Sequence, residues 1–314
     1  MKTQLLGVVL IVVLVFSLCG CTDETITREE AIPDDAVKMG PETDIHPPII
    51  HSDEYLEPVP LEGPINTAGA EDSPFIPCCE EGVFYFFFTP DVRVPVEEQI
   101  VDGVTGIYMT QIIDDEWSEP ERVVLQDKKK LALDGCTFVN EDTMWFCTVR
   151  QGYTGLHWFT AKYVNGKWTN WENADFDPSL DVGELHFSTD WSKLFYHSAR
   201  PGGNGGTDIW MSEFSDGAWQ EPENIQIVNT EENESMPYLT EDGNELWFNR
   251  WYQGSPAVFR SIKSDGAWQE PELIISSFAG EPTLDDNGNI YFVHHFFSQA
   301  GEMIEADIYV AYRK

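Results

Sequence analysis

Short apolar or aromatic runs alternate along the chain with turns rich in Asp, Asn and Gly. In "PYLTEDGNELWFNR" (237–250) and "PTLDDNGNIYFVHH" (282–295), apolar residues flank such a turn and predict a two-stranded hairpin. A third apolar run follows, as in "TDIWMSEF" (207–214), then the turn "SDG" and a run led by Trp. No helical period is sustained over twelve residues in this region. The pattern predicts units of four strands.

These units repeat about every fifty residues. One tryptophan recurs at spacings of 51, 51 and 49 residues: Trp117, Trp168, Trp219 and Trp268. An acid opens each unit in a second series: Glu71, Asp134, Glu184, Glu234 and Glu281. Four strands at this period are typical of a β-propeller blade. The tryptophans share one outer-strand position and are predicted to pack between blades.

Five openings predict an all-β chain folded as a five-bladed β-propeller of four-stranded antiparallel blades. The chain ends at Lys314, just after the third strand of the last unit, so that unit lacks a fourth strand. Ile65-Asn66-Thr67 aligns without a gap on Val228-Asn229-Thr230. The segment Leu61–Thr67 is therefore expected to supply the missing strand and close the ring from the N-terminus, which removes open sheet edges.

The N-terminus carries a different pattern. Lys2 precedes an apolar run, Leu5–Leu18, which is too short to span a bilayer and is typical of a signal peptide. The following "LCGC" resembles a prokaryotic lipobox, which implies a signal peptide over 1–20 and lipidation of Cys21; an uncleaved anchor is the alternative. Residues 21–55 are acidic and proline-bearing, which predicts a flexible stalk before a propeller at 56–314. Either reading places the protein on the outer face of a membrane.

The segment "SARPGGNGGTDIWMSEFSDGAWQEP" (198–222) resembles the TolB-like propeller repeat, which is WD-repeat-like. The match is partial at Asp307-Ile308-Tyr309 and weaker in the other units. The resemblance implies a propeller fold and an envelope or surface location, not one reaction. Its glycines connect two strands instead of a strand and a helix, so they are not read as a phosphate loop. Arg200 and Asp208 are expected to clasp this connection.

The opening acids are expected to converge on the central channel, because innermost strands start beside it. Five like charges there must be protonated, hydrated, paired or bound to a cation such as calcium. Candidate partners and ligand-binding residues lie in the same layers: Glu234, Glu281, Arg150, Arg200, Arg250, His186, His197, His294 and His295. One interpretation is a structural clasp repeated in every blade. The other is catalysis.

Catalysis rests on a fold-level resemblance to five-bladed glycosidases such as arabinanases and invertases. These enzymes place one acid in each of the first three blades, which here implies Asp72, Asp134 and Glu184. Glycoside hydrolysis requires two carboxyl groups beside the sugar bond, one of them protonated. Because acids recur in the last two blades as well, the clasp is the favoured reading and glycosidase activity is the alternative.

The formal net charge of -37 excludes nucleic acid as a favoured partner, because the surface repels phosphates. The leading hypothesis is therefore a membrane-anchored, monomeric binding or assembly module for a glycan or an envelope protein. Aromatic side chains in loops at one face are candidate contacts: Trp251, Tyr252, Tyr153, His157 and Trp158. Trp251 is the preferred ligand contact because it is not part of the repeat.

Four cysteines follow the signal region. Cys136 and Cys147 lie across the second hairpin, which makes a disulfide geometrically plausible in an oxidising compartment. Cys78 and Cys79 form either a vicinal disulfide or two thiols. The chain has no P-loop, dinucleotide fingerprint or zinc-ligand spacing, so no cofactor or metal site is assigned beyond the channel calcium named above.

Overall fold

The computed structural model describes residues 26–78, 80, 82–127, 130–175 and 183–314. Strands dominate these residues, and the helices among them are two single turns, α1 (Arg28–Ala31) and α2 (Val96–Gln99). Two short strands precede the repeats, β1 (Ile49–Ile50) and β2 (Val59–Pro60). No helix in this part of the chain is long and apolar enough to cross a membrane.

The other strands are divided here by chain order into groups 1 to 5, each running from an inner to an outer strand. Group 1 comprises β3 (Ala70–Phe75), β4 (Val83–Thr89), β5 (Gly106–Ile113), β6 (Glu116–Trp117) and β7 (Glu121–Arg122). Group 2 comprises β8 (Ala132–Asn140), β9 (Thr143–Arg150), β10 (His157–Val164) and β11 (Lys167–Asn173). Group 3 comprises β12 (Leu185–Phe187), β13 (Lys193–Ser198), β14 (Asp208–Ser215), β15 (Ala218–Trp219) and β16 (Glu223–Asn224). Group 4 comprises β17 (Glu234–Leu239), β18 (Glu245–Tyr252), β19 (Ser255–Ser264), β20 (Ala267–Trp268) and β21 (Glu272–Ser276), and group 5 comprises β22 (Ala279–Leu284), β23 (Ile290–Phe297) and β24 (Met303–Ala311).

The first three strands of each group pair antiparallel in chain order, as the hairpin pattern predicts. In groups 1, 3 and 4 the two outermost strands both pair antiparallel with the third strand. The turns need left-handed backbone, which glycine provides at Gly243 (φ 69°) and in the "SDG" turn at Gly217 (φ 81°). The second strands are apolar on both faces: in β4, Phe84 and Phe86 are fully buried on one face and Tyr85 is buried on the other. Such strands are typical of sheets packed face to face. The repeated tryptophans pack against these cores, as predicted.

The five inner strands contact one another in cyclic order, β3 to β8, β12, β17, β22 and back to β3. All but β12 contain a bulge whose backbone has a positive φ, and the residues concerned are Ser73, Cys136, Met236 and Glu281. A bulge turns side chains relative to a regular strand. It therefore changes which side chains face the channel between the inner strands.

An N-terminal strand pairs with the last group, as predicted. Strand β2 pairs antiparallel with β24, Val59 opposite Val310. The aligned asparagines make the same bonds. The Asn66 side chain accepts from the Ile308 N–H and donates to the Ile308 carbonyl, and the Asn229 side chain does the same with Ile209. The pairing lies at 59–60, slightly before the expected Leu61–Thr67.

The prediction of a flexible stalk before residue 56 is wrong for residues 26–55, which contact the strand groups. Arg28 is buried in group 1, and Lys38 forms ion pairs with Glu305 and Asp307 of group 5. Strand β1 then adds to the outer edge of group 4. The segment is polar overall, but its few cations and apolar residues fit specific sites on the strand groups, and these contacts offset the entropy of ordering. Residues 1–25, including Cys21, lie outside the described residues.

Candidate functional site

The opening acids do not form one equivalent series. Glu234 pairs in register with Arg250, and Glu71 and Asp134 occupy corresponding places before the bulge. Glu281 lies inside a bulge, after Gly280. Aligned by strand register, Glu184 also falls at this later position. Glu184 and Glu281 thus lie two residues later in their strands than Glu234 does. The sequence spacing could not show this offset, because a bulge is recognised only when the partner strand is known.

Group 4 contains the most regular clasp. The Glu234 carboxylate is fully buried and accepts bonds from Arg250 Nε at 2.7 Å and from Thr230 Oγ1 at 2.6 Å. The Arg250 guanidinium also donates to the Val228 carbonyl at 2.5 Å and lies over the Phe259 ring, 4.6 Å from its centroid. Every polar atom of the acid has a partner, so this site is structural.

Group 2 builds the same clasp from a different backbone position. Asp134 Oδ1 accepts from Arg150 at 2.8 Å and from Thr148 at 2.6 Å. Arg150 lies two positions further along its strand than Arg250, yet its guanidinium covers the Phe159 ring at 4.3 Å and donates to the Leu125 carbonyl at 3.2 Å. Asp134 is thus held in the clasp through its Oδ1.

Group 1 receives its cation from outside the group. Arg28 of α1 donates to the carbonyls of Pro64 and Ile65 and approaches Glu71 at 3.4 Å, stacked among aromatic rings. Thr67 donates two further bonds to Glu71. Burial raises the pKa of Glu71 to about 7, against the opposing effects of Thr67 and of Arg28. The contact of α1 explains why this short segment is ordered.

Group 3 has the arginine without an acid. Arg200 lies over Trp210, 5.0 Å from its centroid, and donates to the Tyr196 hydroxyl at 2.8 Å. Asp208 instead holds the glycine connection by accepting from the backbone of Asn204 and Gly205. A Cβ on Gly205 would lie 2.0 Å from the Glu232 carbonyl, so this close approach requires glycine. Asp208 therefore clasps the connection as expected, whereas the Arg200 side chain contacts Trp210 and Tyr196 instead.

Four side chains meet at the channel: Asp72, Cys136, Glu184 and Glu281. Burial raises the pKa of Asp72 well above its usual range, and the charge of Glu281 adds to this effect. Burial also raises the pKa of Glu184 and that of Glu281. The cavity beside Glu184 and Glu281 measures about 40 Å³, enough for little more than one water.

Side chains beside the channel also join neighbouring groups. His197 Nδ1 accepts from the Met236 N–H at 3.2 Å, and Asn249 accepts from the Glu281 N–H at 2.8 Å. The Glu281 carboxylate accepts from the Ser73 N–H at 2.6 Å. Burial lowers the pKa of His197 to about 4, so its ring is neutral and can accept. Glu281 therefore bonds to the backbone of the next group, which is a structural role.

The other predicted histidines occupy separate sites. His294 is fully buried beside Asp44, with Nε2 at 2.8 Å from the carboxylate. Burial lowers the pKa of His295 to about 4 and that of His186 to about 3. His186 is 9% exposed and its Nδ1 has no hydrogen-bond partner among the described residues. The predicted histidines therefore do not lie together at the channel.

The predicted disulfide is not formed in the structure, which describes Cys136 and Cys147 as free thiols. Cys147 pairs in register with Gly135, because the bulge displaces Cys136. Their thiols interact by a hydrogen bond, which together with burial raises the pKa of Cys136. The Cys78 thiol lies 3.7 Å from the Asn140 amide oxygen, whereas Cys79 lies outside the described residues.

The face at which the inner strands begin carries two of the predicted aromatic contacts. Trp251 is 47% exposed and Tyr153 is 44% exposed. Tyr153 borders a cavity of about 280 Å³ with Arg150 and Trp171. Trp158, by contrast, is buried in the core and is not a surface contact.

A larger cavity at the opposite, hairpin end was not predicted from the sequence. It measures about 320 Å³, and its walls come from the ends of the inner strands and from the turns that follow them. Phe75, Phe138, His186 and Tyr238 line it, together with turn carboxylates. The acidic turns "TEDGN" and "LDDNG" were the available signal, but they read as ordinary hairpin turns. We call this the hairpin-end cavity.

The described residues contain no group of three or more His, Cys, Asp or Glu side chains placed to hold a metal ion. In this part of the chain the axial acids instead accept hydrogen bonds or have a pKa raised by burial; the first set is Glu71, Asp134, Glu234 and Glu281, and the second includes Asp72 and Glu184. The arrangement gives no support to the calcium considered for this channel.

No family model matches the chain, and no curated protein matches its sequence. Its fold is similar to the endo-arabinase from Bacteroides thetaiotaomicron, with a TM-score of 0.51 and 15% identity over 80% of this chain and 97% of that one. It is also similar to GH43B of a Bacteroides ovatus xyloglucan PUL (TM-score 0.51, 12% identity, 81% of this chain and 54% of that one). TolB from Acinetobacter baumannii gives a TM-score of 0.45 at 11% identity over 79% of this chain and 55% of that one. At these identities the likeness shows a β-propeller fold and no particular activity.

Proposed function

We propose that this chain is an exported, lipid-anchored β-propeller that serves as a binding or assembly module for a glycan or protein partner at the cell surface. The observation that supports this function is the state of the candidate catalytic acids. Asp134 is held in a clasp, and Asp72 and Glu184 meet at a narrow channel beside a cavity of about 40 Å³. The two faces, in contrast, carry cavities of about 280 and 320 Å³.

We further propose that strand groups 1 to 5 are the five blades of one ring. The cyclic order of contacts between the inner strands supports this count. The pairing of β2 with β24 supports closure of the ring by the N-terminal strand.

Glycosidase activity at the axis is the alternative. The raised pKa of Glu184 suits a general acid, but hydrolysis needs a sugar ring between two carboxyl groups. The cavity beside Glu184 is far smaller than a ligand pocket, which usually measures about 300–1,000 Å³. A screen on aryl glycosides and polysaccharides is expected to show no turnover. Turnover that disappears in Glu184→Gln would overturn the binding-module proposal.

Binding at the aromatic face is tested on a glycan array. A signal that depends on exposed Trp251 should be lost in Trp251→Ala and kept in Trp168→Phe, because Trp168 packs against the core. Equal loss in both variants would indicate a general effect on folding and would argue against a site at Trp251.

The anchor is proposed to be a diacylglyceryl group on Cys21. Labelling of cells with an alkyne fatty acid should mark the wild-type protein and leave Cys21→Ser unlabelled. Label retained in Cys21→Ser would contradict the proposed anchor without touching the binding function.

A further inference from the structure

The cavity of about 280 Å³ beside Tyr153 belongs to group 2, and we name it the Tyr153 cavity. Its volume is close to the lower end of the range for small-ligand pockets, about 300–1,000 Å³. Tyr153 is 44% exposed, Trp171 is half-buried, and the buried Phe159 ring lines the cavity with them. The polar lining side chains are Gln126, Asp127, Lys130, Arg150 and Gln151.

Trp171 is a departure from the repeat. Three residues after the repeated tryptophan, the second unit has Trp171, whereas the first, third and fourth units have Pro120, Pro222 and Pro271. In those three groups the outer segment is divided into two short strands, but β11 of group 2 is continuous. A bulge in β11, with Asn170 at φ 55°, precedes Trp171 and turns its side chain relative to a regular strand. The fold therefore does not require a tryptophan here, because the other groups form without one.

The Tyr153 ring is held in place from behind. Its centroid lies 5.1 Å from that of Phe159 and 5.0 Å from that of His157, and both contacts are edge-on. The His157 ring is itself fixed, with Nδ1 2.7 Å from the Asp175 carboxylate and Nε2 3.1 Å from the Thr154 carbonyl. An exposed ring that is already ordered loses little conformational entropy when a ligand packs on it.

Hydrogen-bonding groups at the cavity are left without partners inside the protein. Within the described part of the chain, no side-chain hydrogen bond is made by the Gln151 amide, the Tyr153 hydroxyl or the Trp171 indole N–H. Arg150, which is 8% exposed, uses Nε and Nη2 in bonds to Thr148, Asp134 and the Leu125 carbonyl. Its Nη1 makes no bond to a described residue, so a fixed donor remains at the cavity.

The charges of the described lining are balanced. Lys130 pairs with Asp127 at 3.2 Å, and the Arg150 guanidinium is neutralised by Asp134 at 2.8 Å. The site therefore offers aromatic faces and hydrogen-bonding groups without an excess of either charge. A ligand with apolar C–H faces, several hydroxyl groups and no charge satisfies these features together.

We propose that the Tyr153 cavity binds one neutral sugar ring of a glycan. An apolar face of the ring packs on Tyr153 and Trp171, and its hydroxyl groups bond to the Gln151 amide and to Arg150 Nη1. This inference rests on the proposed binding function. It names neutral glycans as the ligand class and assigns the site to group 2, separate from Trp251 in group 4.

The test applies the full chain to an array of neutral glycans, namely fragments of glucans, xylan, mannan and arabinan, together with oligogalacturonides. The neutral glycan with the strongest signal is then titrated in a calorimeter. A neutral glycan should bind, and oligogalacturonides should bind at least about tenfold more weakly, because the net charge of -37 opposes their carboxylates. Tighter binding of the acidic glycans, or no binding of any neutral one at millimolar concentration, would overturn the proposal.

Matched variants locate the site. Tyr153→Ala and Gln151→Leu should each weaken binding of that neutral glycan about tenfold, by loss of the stacking face and of the amide respectively. Tyr163→Ala is the control, because Tyr163 is 45% exposed on the same group but lies outside the cavity lining, and it should change binding less than about twofold. Thermal unfolding checks that all three variants fold. Equal losses in Tyr153→Ala and Tyr163→Ala would overturn the proposal.

Two further outcomes separate this inference from the proposed function. A neutral-glycan signal that is lost in Trp251→Ala and unchanged in Tyr153→Ala would remove the Tyr153 cavity as the site and leave the binding module standing. The absence of any glycan signal would overturn the inference and leave a protein partner as the remaining ligand of the proposed module.

Discussion

The clasps of groups 4 and 1 both place an arginine guanidinium beside a buried glutamate, a backbone carbonyl and aromatic rings. The two arginines come from different parts of the chain. Arg250 is the sixth residue of β18, the strand opposite its acid, and its Nε lies 2.7 Å from Glu234. Arg28 comes from a helix forty-three residues before Glu71 and approaches it at 3.4 Å. The first clasp forms with its hairpin, whereas the second requires a distant segment to return. The comparison separates a local structural unit from one that depends on the N-terminus.

The largest effect is expected when the local clasp is broken. Arg250→Met leaves the Glu234 carboxylate buried without its cation, which should lower the free energy of unfolding by about 3–5 kcal/mol. Urea denaturation followed by tryptophan fluorescence measures the change. Adding Glu234→Gln should recover much of the loss; no recovery would show that packing of the arginine, not its charge, matters.

A smaller effect is expected in group 1, where Arg28 of the N-terminal segment supplies the cation. Because the pKa of Glu71 is already about 7, this acid can take up a proton when Arg28 is removed. Arg28→Met should therefore cost about 2 kcal/mol. A loss as large as that in Arg250→Met would mean that the two clasps do not differ in the way their distances indicate.

The pH dependence distinguishes the clasps further. The folded-state pKa of Glu71, about 7, lies above its ordinary value of 4.5, so the folded protein binds this proton more tightly than the unfolded chain. The contribution to stability is fully present below pH 4.5 and is lost as the pH rises through about 7. Glu71→Gln should flatten the fall in stability over this range by about 3 kcal/mol. Parallel curves for wild type and variant would contradict the raised pKa.

The smallest effect is expected where the acid is missing. Arg200 stacks on Trp210 and makes no ion pair within the described residues, so Arg200→Met should cost only about 0.5–1 kcal/mol. Thermal unfolding of the Arg200 and Arg250 variants side by side tests this ranking. A loss at Arg200 that matches Arg250 would indicate an unrecognised charged partner.

The repeat was readable from the sequence because its signals are local. The hairpin turns, the "SDG" turns and the Trp-led strands each occupy a few consecutive residues, and the alignment of Asn66 with Asn229 holds in detail. The register of the acids was not readable. Glu184 and Glu234 follow a constant spacing, but a bulge opposite Phe248 changes which position faces the channel.

Contacts between residues that are distant in the chain could not be predicted from the sequence, for a related reason. Arg28 stands in a short acidic segment without apolar periodicity, and only the folded chain shows the rings and carbonyls it meets. The hairpin-end cavity could not be predicted because its lining is assembled from several strand groups, which contribute strand ends and ordinary turn residues.

The path of the N-terminal segment sets how far the protein can stand from a membrane. With Cys21 lipidated as proposed, six residues lie between the anchor and Arg28, which is buried in group 1. Fully extended, the seven steps from Cys21 to Arg28 reach about 25 Å, whereas a free stalk to residue 55 would reach about 120 Å. The propeller is then held close to the bilayer with restricted tilt, so any partner must approach through the space beside the headgroups or from the outward side.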